Sequence, residues 1–350
     1  MKRIRDYGIV IGTLPTGPTN SLADVDGVTI SHVTLSDGAV QTGVSVIHPG
    51  SDHPFYQKRI AASHVINGFG KSIGLVQLDE LGTLETPIIL TNTLSVGTAS
   101  TALVEYMLAG TPEIGDTTGT VNPVVMECND GAYLNDIRGL HVTKEHVAQA
   151  LAMSSREISE GNIGAGTGMS CYGLKGGVGT SSRMVEIGSN NYTIAAYTLC
   201  NMGLPGDLLV DGQPVGSRIV SDLAQPNNAL AEKGSIIVVL ATDAPVDARQ
   251  LKRITKRAGM GIARTGTSFG SGSGDIIIGF TTAGMVPHLK PDNSLLTCSL
   301  LHEDALDSLF RGAIEVTQEA ILNTLVAAKP VTGRNNRTRQ SLAQYAHLFS

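Results

Sequence analysis

The sequence predicts a mixed α and β fold, arranged as a four-layer αββα sandwich in a single domain. Short apolar runs bounded by Gly, Pro, Asn and Asp recur along the 350 residues, as expected of buried strands. Helical patterns lie between some of these runs, but strands and helices do not alternate one by one. A layered sandwich explains this order better than a regular βαβ succession. No internal repeat or clear linker divides the chain.

The strand predictions rest on short apolar runs that end at turn-forming residues. Several of these runs are apolar at successive positions, which indicates strands buried on both faces. The predicted strands are residues 43–47, 87–90, 123–126, 193–199, 236–241 and 276–280.

The helix predictions rest on apolar residues spaced three or four apart. The first helix contains Val96, Ala99, Leu103 and Met107 and is expected to stop at Gly110. The others are a helix at residues 143–160, one that begins after Pro245 with Asp243 as its cap, and the longest, from near Leu301 past Leu325.

Composition excludes several classes of function. The net charge is −6 and the 25 Lys and Arg residues are scattered, so the basic patch that a nucleic acid requires is absent. The nine histidines form neither an HExxH motif nor a cluster with carboxylates, so no metal and no cofactor are predicted. Cys128, Cys171, Cys200 and Cys298 include no CxxC pair and are predicted to be reduced and mostly buried.

The cellular setting is predicted from what the apolar runs lack. The run at residues 9–14 is short, is interrupted by Gly12 and has no small-residue cleavage site, which argues against a targeting segment. No run approaches the roughly 18 apolar residues of a membrane span. We therefore expect a soluble, cytoplasmic protein with no membrane partner. Its 41 glycines and 16% charged residues predict close backbone packing and a homo-oligomer.

Two partial motifs indicate functions that their surroundings contradict. Gly70-Lys71-Ser72 matches the end of a phosphate-binding loop, but Val65 stands where that loop needs its first glycine. The segment GTSFG at residues 266–270 matches the GxSxG nucleophile elbow, yet it follows a predicted helix and precedes a strand. An elbow needs the opposite order, a strand that turns into a helix. Neither a nucleotide site nor an α/β-hydrolase is predicted.

The junction between Gly234 and Ser235 has the features of a self-processing site. The polar segment 224–234 ends there, and Ser235 begins a predicted buried strand. Glycine can adopt the strained backbone that exposes its carbonyl to the next hydroxyl, and an N-to-O acyl shift then gives an ester that water cleaves. The freed amine, with an intrinsic pKa of about 8, can act as general base for its own hydroxyl. By itself the dipeptide is more typical of a turn entering a core strand.

Further motifs strengthen the interpretation of this junction because they match one family in order along most of the chain. The matching segments are Asn67-Gly68-Phe69-Gly70-Lys71, Leu84-Glu85-Thr86-Pro87-Ile88, Leu90-Thr91-Asn92-Thr93, Asp130-Gly131, Leu134-Asn135-Asp136, the segment 175–183 (KGGVGTSSR), the segment 211–216 (DGQPVG), the segment 234–239 (GSIIVV), Ala241-Thr242-Asp243-Ala244-Pro245 and Gly272-Ser273-Gly274-Asp275. The sequence resembles the L-aminopeptidase/D-esterase and β-peptidyl aminopeptidase family, whose members self-cleave before a serine. The resemblance implies a fold similar to that of the N-terminal nucleophile hydrolases, an α chain of residues 1–234, a β chain of residues 235–350, and an assembly of processed protomers.

The resemblance also implies a set of catalytic residues. Ser235 matches the nucleophile, and Asn201 matches the asparagine that helps to hold the oxyanion. Ser273 and Asp275 match the pair that positions the new amine and hydroxyl, with an aspartate where relatives can carry glutamate. Cleavage is expected between Gly234 and Ser235.

Substrate binding is assigned to Glu127 and Asn129. Glu127 matches the carboxylate that pairs with the free amino group of the substrate. Asn129 departs from the family, because some relatives carry a tyrosine there. Tyr133 lies nearby in the sequence but does not take that position, so a tyrosine role in activation is not carried over.

Together these features predict a self-processing serine aminopeptidase or amidase that acts on short peptides, amino-acid amides or esters. One alternative is acyl transfer to an amine, as in the ornithine acetyltransferases, which self-process at a threonine. The non-enzymatic alternative is an unprocessed binding or oligomeric scaffold. Product analysis with added amines separates transfer from hydrolysis, and the intact mass identifies a scaffold that is not processed.

Overall fold

A computed structural model describes residues 1–157, 159–222 and 233–349 of the chain. Residues 224–232 of the predicted polar segment 224–234 therefore lie outside the described residues. Among the described residues, no helix is both long enough and apolar enough to cross a membrane.

The regular elements are strands that build two main sheets and helices that cover them. The helices are α1 (Leu75–Leu81), α2 (Val96–Gly110), α3 (Lys144–Ala152), α4 (Val215–Asp222), α5 (Ala248–Ala263) and α6 (Asp307–Ala327). The strands are β1 (Thr29–Asp37), β2 (Val40–His48), β3 (Gln57–Gly68), β4 (Thr83–Leu84), β5 (Ile88–Asn92), β6 (Val124–Cys128), β7 (Ser170–Cys171), β8 (Leu174–Lys175), β9 (Gly177–Ile187), β10 (Asn190–Asn201), β11 (Lys233–Thr242), β12 (Gly272–Pro287), β13 (Val331–Thr332) and β14 (Thr338–Arg339).

The smaller main sheet has the strand order β1-β2-β5-β6, and the larger has the order β4-β3-β12-β11-β10-β9. Most neighbouring strands are antiparallel, but β5 pairs with β6 and β11 with β12 in parallel. Across the larger sheet, Ser235 at the start of β11 lies opposite Asn201 on β10 and Gly274 on β12. This register brings the end of one strand and the starts of two others to the same place.

Three apolar clusters separate four layers, which confirms the predicted αββα sandwich. The middle cluster joins the facing sides of the two sheets and includes Met126, Ile237 and Val239. Helices α5 and α6 cover the outer side of the larger sheet, where Ile236 and Val238 are buried. Helices α2 and α3 cover the outer side of the smaller sheet. Because neighbouring residues of a strand point to opposite faces, β11 must be apolar at successive positions, as the sequence predicts.

The six predicted strands are present, but β1, β3 and β9 were not predicted. Strand β9 contains Gly177 and Gly179, where a side chain has no room. A Cβ atom on Gly179 would lie 2.1 Å from the carbonyl oxygen of Ala320, so this glycine lets helix α6 lie directly against the sheet. A Cβ atom on Gly177 would lie 2.1 Å from the carbonyl oxygen of Gly161.

Two predicted helix boundaries are wrong because tertiary contacts end or delay the helix. Helix α3 ends at Ala152 and not at residue 160, since Ile30 and Ser155 exchange two backbone hydrogen bonds that draw the chain to the edge of β1. Helix α6 begins at Asp307 and not near Leu301, whose amide donates to the carbonyl of Pro245.

The cap predicted for helix α5 is also wrong. Its N-cap is Asp247, which accepts a hydrogen bond from the amide of Gln250 at 2.6 Å. Asp243 instead accepts the amide of Thr193 at 2.6 Å and so ties the end of β11 to β10. Both aspartates satisfy backbone donors, and only their positions in space show which donors these are.

The cysteines carry free thiols. Cys128, Cys171 and Cys200 are buried, as predicted, and Cys298 is exposed. Cys298 lies in a stretch without helix or strand in which residues 292–300 are all exposed. This stretch presents leucines to solvent, which is unusual for several neighbouring residues of one segment.

Candidate active site

A cavity of about 370 Å³ opens where β3, β5, β6 and β10 end and where β11 and β12 begin. Its lining combines apolar, amide, hydroxyl and charged groups, as is typical of a binding site for a small molecule. The lining residues are Phe69, Lys71, Thr93, Glu127, Asn129, Ala132, Asn201, Gly234, Ser235 and Gly272. Five of the residues predicted for the site are therefore in one cavity: Gly234, Ser235, Asn201, Glu127 and Asn129.

Ser235 is the third residue of β11 and is 5% exposed. Its Oγ donates a hydrogen bond to the carbonyl oxygen of Gly234 at 2.7 Å. The backbone amide of Gly274 donates to the same Oγ at 3.2 Å. The hydroxyl is thus held against the carbonyl group of the peptide bond that would be cut.

Gly234 has no room for a side chain. A Cβ atom there would lie 2.1 Å from the carbonyl oxygen of Asn201 and 2.9 Å from the Cα atom of Met202. A larger residue would push β11 away from β10 at this point. The glycine before Ser235 is therefore required by close packing of the backbone, in addition to any role in the cut.

Asn201, 6% exposed, lies directly opposite Ser235. Its Oδ1 accepts the backbone amide of Ser170 at 2.9 Å, and its Nδ2 donates to the carbonyl oxygen of Asn129 at 2.9 Å. These two bonds decide which end of the carboxamide is oxygen and which is nitrogen. An amide nitrogen carries two N–H donors. Among the described residues, Asn129 accepts one of them, so the other remains for a ligand in the cavity.

Ser273 and Asp275 do not line the cavity. Both are buried on β12, and Ser273 Oγ donates to Asp275 Oδ1 at 2.6 Å. Ser273 pairs with Gly234 and Asp275 with Ile236 in the parallel register. The two side chains thus belong to the strand that runs beside the Gly234–Ser235 peptide, on either side of Gly274.

Glu127, at the end of β6, is a buried carboxylate and not a surface one, with 2% exposure. Its Oε1 accepts the backbone amide of Lys71 at 2.7 Å, and its Oε2 accepts the hydroxyl of Thr93. A carboxylate oxygen can accept more than one hydrogen bond, so a cationic group in the cavity can still be bound.

Asn129 is exposed at the mouth of the cavity, and its Oδ1 accepts the amide of Gly131 at 2.9 Å. Tyr133 is not in the cavity lining; its ring lies under the guanidinium of Arg339, 3.5 Å from the ring centre. Of these two residues, therefore, only Asn129 lines the cavity.

Several residues of the site received no role from the sequence. Phe69, Lys71 and Thr93 line the cavity, and the motifs that contain them were recognised without a function for each residue. Lys71 is exposed and contacts the face of Phe69, 4.3 Å from the ring centre. The motif Gly70-Lys71-Ser72 therefore contributes Lys71 to the cavity wall.

Two buried charged residues adjoin the site. Burial raises the pKa of Asp130 to about 7, against the hydrogen bonds it accepts from Thr42 and Asn135. Burial lowers the pKa of Lys175 to about 7, and attraction to Asp130 opposes this shift. Their motifs were recognised in the sequence, but the periodicity of the chain does not reveal that the two residues interact electrostatically.

Ser268 of the GxSxG motif lies between α5 and β12, is exposed and is not in the cavity lining. The motif therefore follows a helix and precedes a strand, as the sequence predicts, and this is the opposite of the order in a nucleophile elbow. Among the described residues, no three His, Cys, Asp or Glu side chains are grouped closely enough to hold a metal ion.

The profile of peptidase family S58 matches residues 20–339. The chain belongs to peptidase family S58. It is 38% identical to the beta-peptidyl aminopeptidase BapA of Sphingosinicella microcystinivorans, over 97% of this chain and 89% of that protein. Its fold matches the PH0078 protein from Pyrococcus horikoshii OT3 with a TM-score of 0.93 and 43% identity, over 99% of this chain and 98% of that one.

A second solved structure similar to this chain is the L-aminopeptidase D-Ala-esterase/amidase from Ochrobactrum anthropi. The TM-score is 0.90 at 36% identity, over 99% of this chain and 100% of that one. That protein is described as a prototype for the serine aminopeptidases with a new variant of the Ntn hydrolase fold. Membership of family S58 confirms the predicted family, the αββα fold and the class of enzyme: the chain is a serine aminopeptidase-type hydrolase. The roles of its individual site residues remain predictions.

Proposed function

We propose that the chain cuts itself between Gly234 and Ser235 and then uses Ser235 as an N-terminal nucleophile to hydrolyse amide or ester bonds next to a free amino group. The observation that carries this proposal is the 2.7 Å hydrogen bond between Ser235 Oγ and the carbonyl oxygen of Gly234. It holds the hydroxyl beside the one peptide group whose cleavage would place a free amine on the same serine.

In the processing step, Ser235 Oγ attacks the carbonyl carbon of Gly234, and the hydroxyl proton passes to the departing nitrogen of Ser235. The Gly234 carbonyl is then an ester on the serine. Water cleaves this ester, which leaves a carboxylate on Gly234 and both a hydroxyl and an α-amine on Ser235. The products are an α chain of residues 1–234 and a β chain of residues 235–350.

In the hydrolytic cycle, the new α-amine takes the hydroxyl proton as Oγ attacks the substrate carbonyl. Its intrinsic pKa of about 8 leaves a useful neutral fraction near neutral pH. The second donor of Asn201 Nδ2 stabilises the oxyanion, and the Ser273–Asp275 pair positions the amine. The amine returns the proton to the leaving group, and water then releases the acyl group from Ser235.

Glu127 is the group that selects an amino terminus in this proposal. Its carboxylate is buried in the same cavity as Ser235, where little water competes with a bound ammonium group. The cavity is small, which favours short substrates. Peptides, amino-acid amides and esters that carry a free amine are the proposed substrates, and the names of the relatives from Sphingosinicella and Ochrobactrum agree with this class.

Two mass measurements on one sample test the processing and the proposed oligomer. In denaturant we expect two polypeptides, residues 1–234 and residues 235–350, and under native conditions a complex of several such pairs. The exposed leucines support the oligomer, because an isolated chain would leave them in water; they are Leu289, Leu295, Leu296 and Leu300. A single denatured mass would contradict processing, and a native mass of one chain pair would contradict the oligomer.

Glu127→Gln is expected to raise KM for aminoacyl nitroanilides about 10- to 100-fold while changing kcat much less, because a charged hydrogen bond to the substrate amine is lost. Steady-state kinetics at neutral pH measure both constants. Glu186→Gln, on the exposed part of β9, removes a carboxylate outside the cavity and serves as the control. Equal KM values for Glu127→Gln and the unaltered enzyme would exclude Glu127 as the amine-binding group.

A further inference from the structure

We propose that Lys175 is a positioning residue that keeps the carboxamide nitrogen of Asn201 directed toward the cavity, by holding the turn at residues 166–170. This inference rests on the proposed role of Asn201 as an oxyanion donor. It gives a function to the buried lysine of the KGG motif, which does not line the cavity.

The ammonium group of Lys175 is completely buried and fully hydrogen-bonded. Its Nζ donates to the carbonyl oxygens of Gly166 at 3.0 Å, Met169 at 2.8 Å and Gly176 at 2.8 Å. An ammonium group has three donors, so each one has a carbonyl acceptor. The backbone amide of Gly176 also donates to the Met169 carbonyl at 2.9 Å. Lys175 therefore gathers carbonyl oxygens of this turn around one nitrogen atom.

The turn acts directly on Asn201. Ser170, the residue after Met169, donates its backbone amide to Asn201 Oδ1. If the turn moves, this donor moves, and the carboxamide loses one of the two bonds that distinguish its oxygen from its nitrogen. A rotated carboxamide would present its oxygen to the developing oxyanion. The partial negative charge of that oxygen would repel the oxyanion and not stabilise it.

The second hydrogen bond that orients Asn201, from its Nδ2 to the carbonyl of Asn129, lies next to the same turn. The carbonyl of Asn129 accepts from Asn201 Nδ2, and Asp130 is the next residue along the chain. The turn packs tightly here, since a Cβ atom on Gly168 would lie 2.9 Å from Cβ of Asp130. Asp130 and Lys175 attract each other in their ionised forms, so these two residues stabilise both supports of the Asn201 amide.

Arg183 provides a matched control, because it is also a fully buried cation. It forms ion pairs with Glu315 at 3.0 Å and Glu319 at 2.5 Å. It lies opposite Ile194 on β10, seven residues before Asn201 and so about 23 Å from it along the strand. Loss of Arg183 should lower stability without changing the orientation of Asn201.

The test measures processing and turnover in Lys175→Met. We expect slower self-cleavage by intact mass, a kcat about 10- to 100-fold lower and a KM within about threefold of the unaltered value, as for a misplaced transition-state donor. Arg183→Met should lower the melting temperature but keep kcat. Lys175→Met/Asp130→Asn removes both ionisable groups, so neither is left buried without the other, and the loss of kcat should persist in this variant. A folded Lys175 variant with unaltered kcat would overturn the proposal.

A mutant cycle with Asn201→Ala separates the possible failures. If Lys175 acts through Asn201, Lys175→Met should lower kcat no further once Asn201 is alanine. Additive losses would overturn the positioning role and leave the proposed function intact. Full kcat in Asn201→Ala alone would remove the oxyanion role on which the inference rests.

Discussion

Ser235→Ala is expected to leave the 350-residue chain uncut and to lower kcat/KM for aminoacyl nitroanilides by at least about 10⁴-fold. The substitution removes the hydroxyl that attacks Gly234 and, because no cut occurs, also removes the α-amine that serves as general base. Both losses follow from one oxygen atom, Ser235 Oγ, which lies 2.7 Å from the carbonyl oxygen of Gly234. The mass of the denatured protein shows whether the chain is cut, and kinetics with nitroanilides of both L- and D-amino acids measure kcat/KM.

The control for this prediction is Ser268→Ala. Ser268 belongs to the GxSxG motif but is exposed and is not in the cavity lining, so its removal should leave processing and kcat/KM within about twofold. The opposite result, with Ser268→Ala inactive and Ser235→Ala cut and active, would overturn the proposed mechanism and favour the nucleophile elbow.

Asn201→Ala is expected to lower kcat by about 10²- to 10³-fold with little change in KM, as for the loss of one oxyanion donor. The donor stabilises charge that develops only in the transition state, so substrate binding should hardly change. Steady-state kinetics on the processed enzyme test this directly. Self-cleavage should slow as well, since the Gly234 carbonyl oxygen becomes negative during the acyl shift.

Two measurements distinguish this effect from a loss of structure. Asn191→Ala, at the exposed opposite end of β10, should leave kcat unchanged. Thermal unfolding of Asn201→Ala should show a modest loss, because Ser170 and Asn129 each lose a hydrogen-bond partner. A tenfold rise in KM at constant kcat would mean that Asn201 binds substrate and does not stabilise an oxyanion.

Periodicity predicted the elements whose own residues decide their structure. Helix α2, with Val96, Ala99, Leu103 and Met107 on one face, ends at Gly110 as expected. Strand β11 is apolar at successive positions because both of its faces are covered. The predictions failed where a distant segment decides the local structure. Helix α3, for example, ends at Ala152 because Ser155 pairs with Ile30 of β1 through two backbone hydrogen bonds.

The candidate site shows the same division. Chemistry local to Gly234 and Ser235 indicated a nucleophile, and the ordered motifs indicated the family. The sequence does not show whether the Glu127 side chain is buried, and only the packing of β6 decides this. The Asn201 side chain was expected to act on an oxyanion, but the backbone groups of Ser170 and Asn129 that orient it could not be predicted from residue types.

The sequence by itself determined the layered αββα fold, the family and the dipeptide at which a cut is proposed, because these depend on residue types, their spacing and their order. The tertiary structure decided which polar residues share the cavity. Ser235 and Asn201 are 34 positions apart, and the register of β10 and β11 places them opposite each other. It also decided that Ser273 and Asp275 lie beside the cavity, and that Lys175 and Asp130 interact electrostatically. Hydrogen-bond partners and burial depend on distances between segments remote in sequence, and these distances exist only once the sheets have packed.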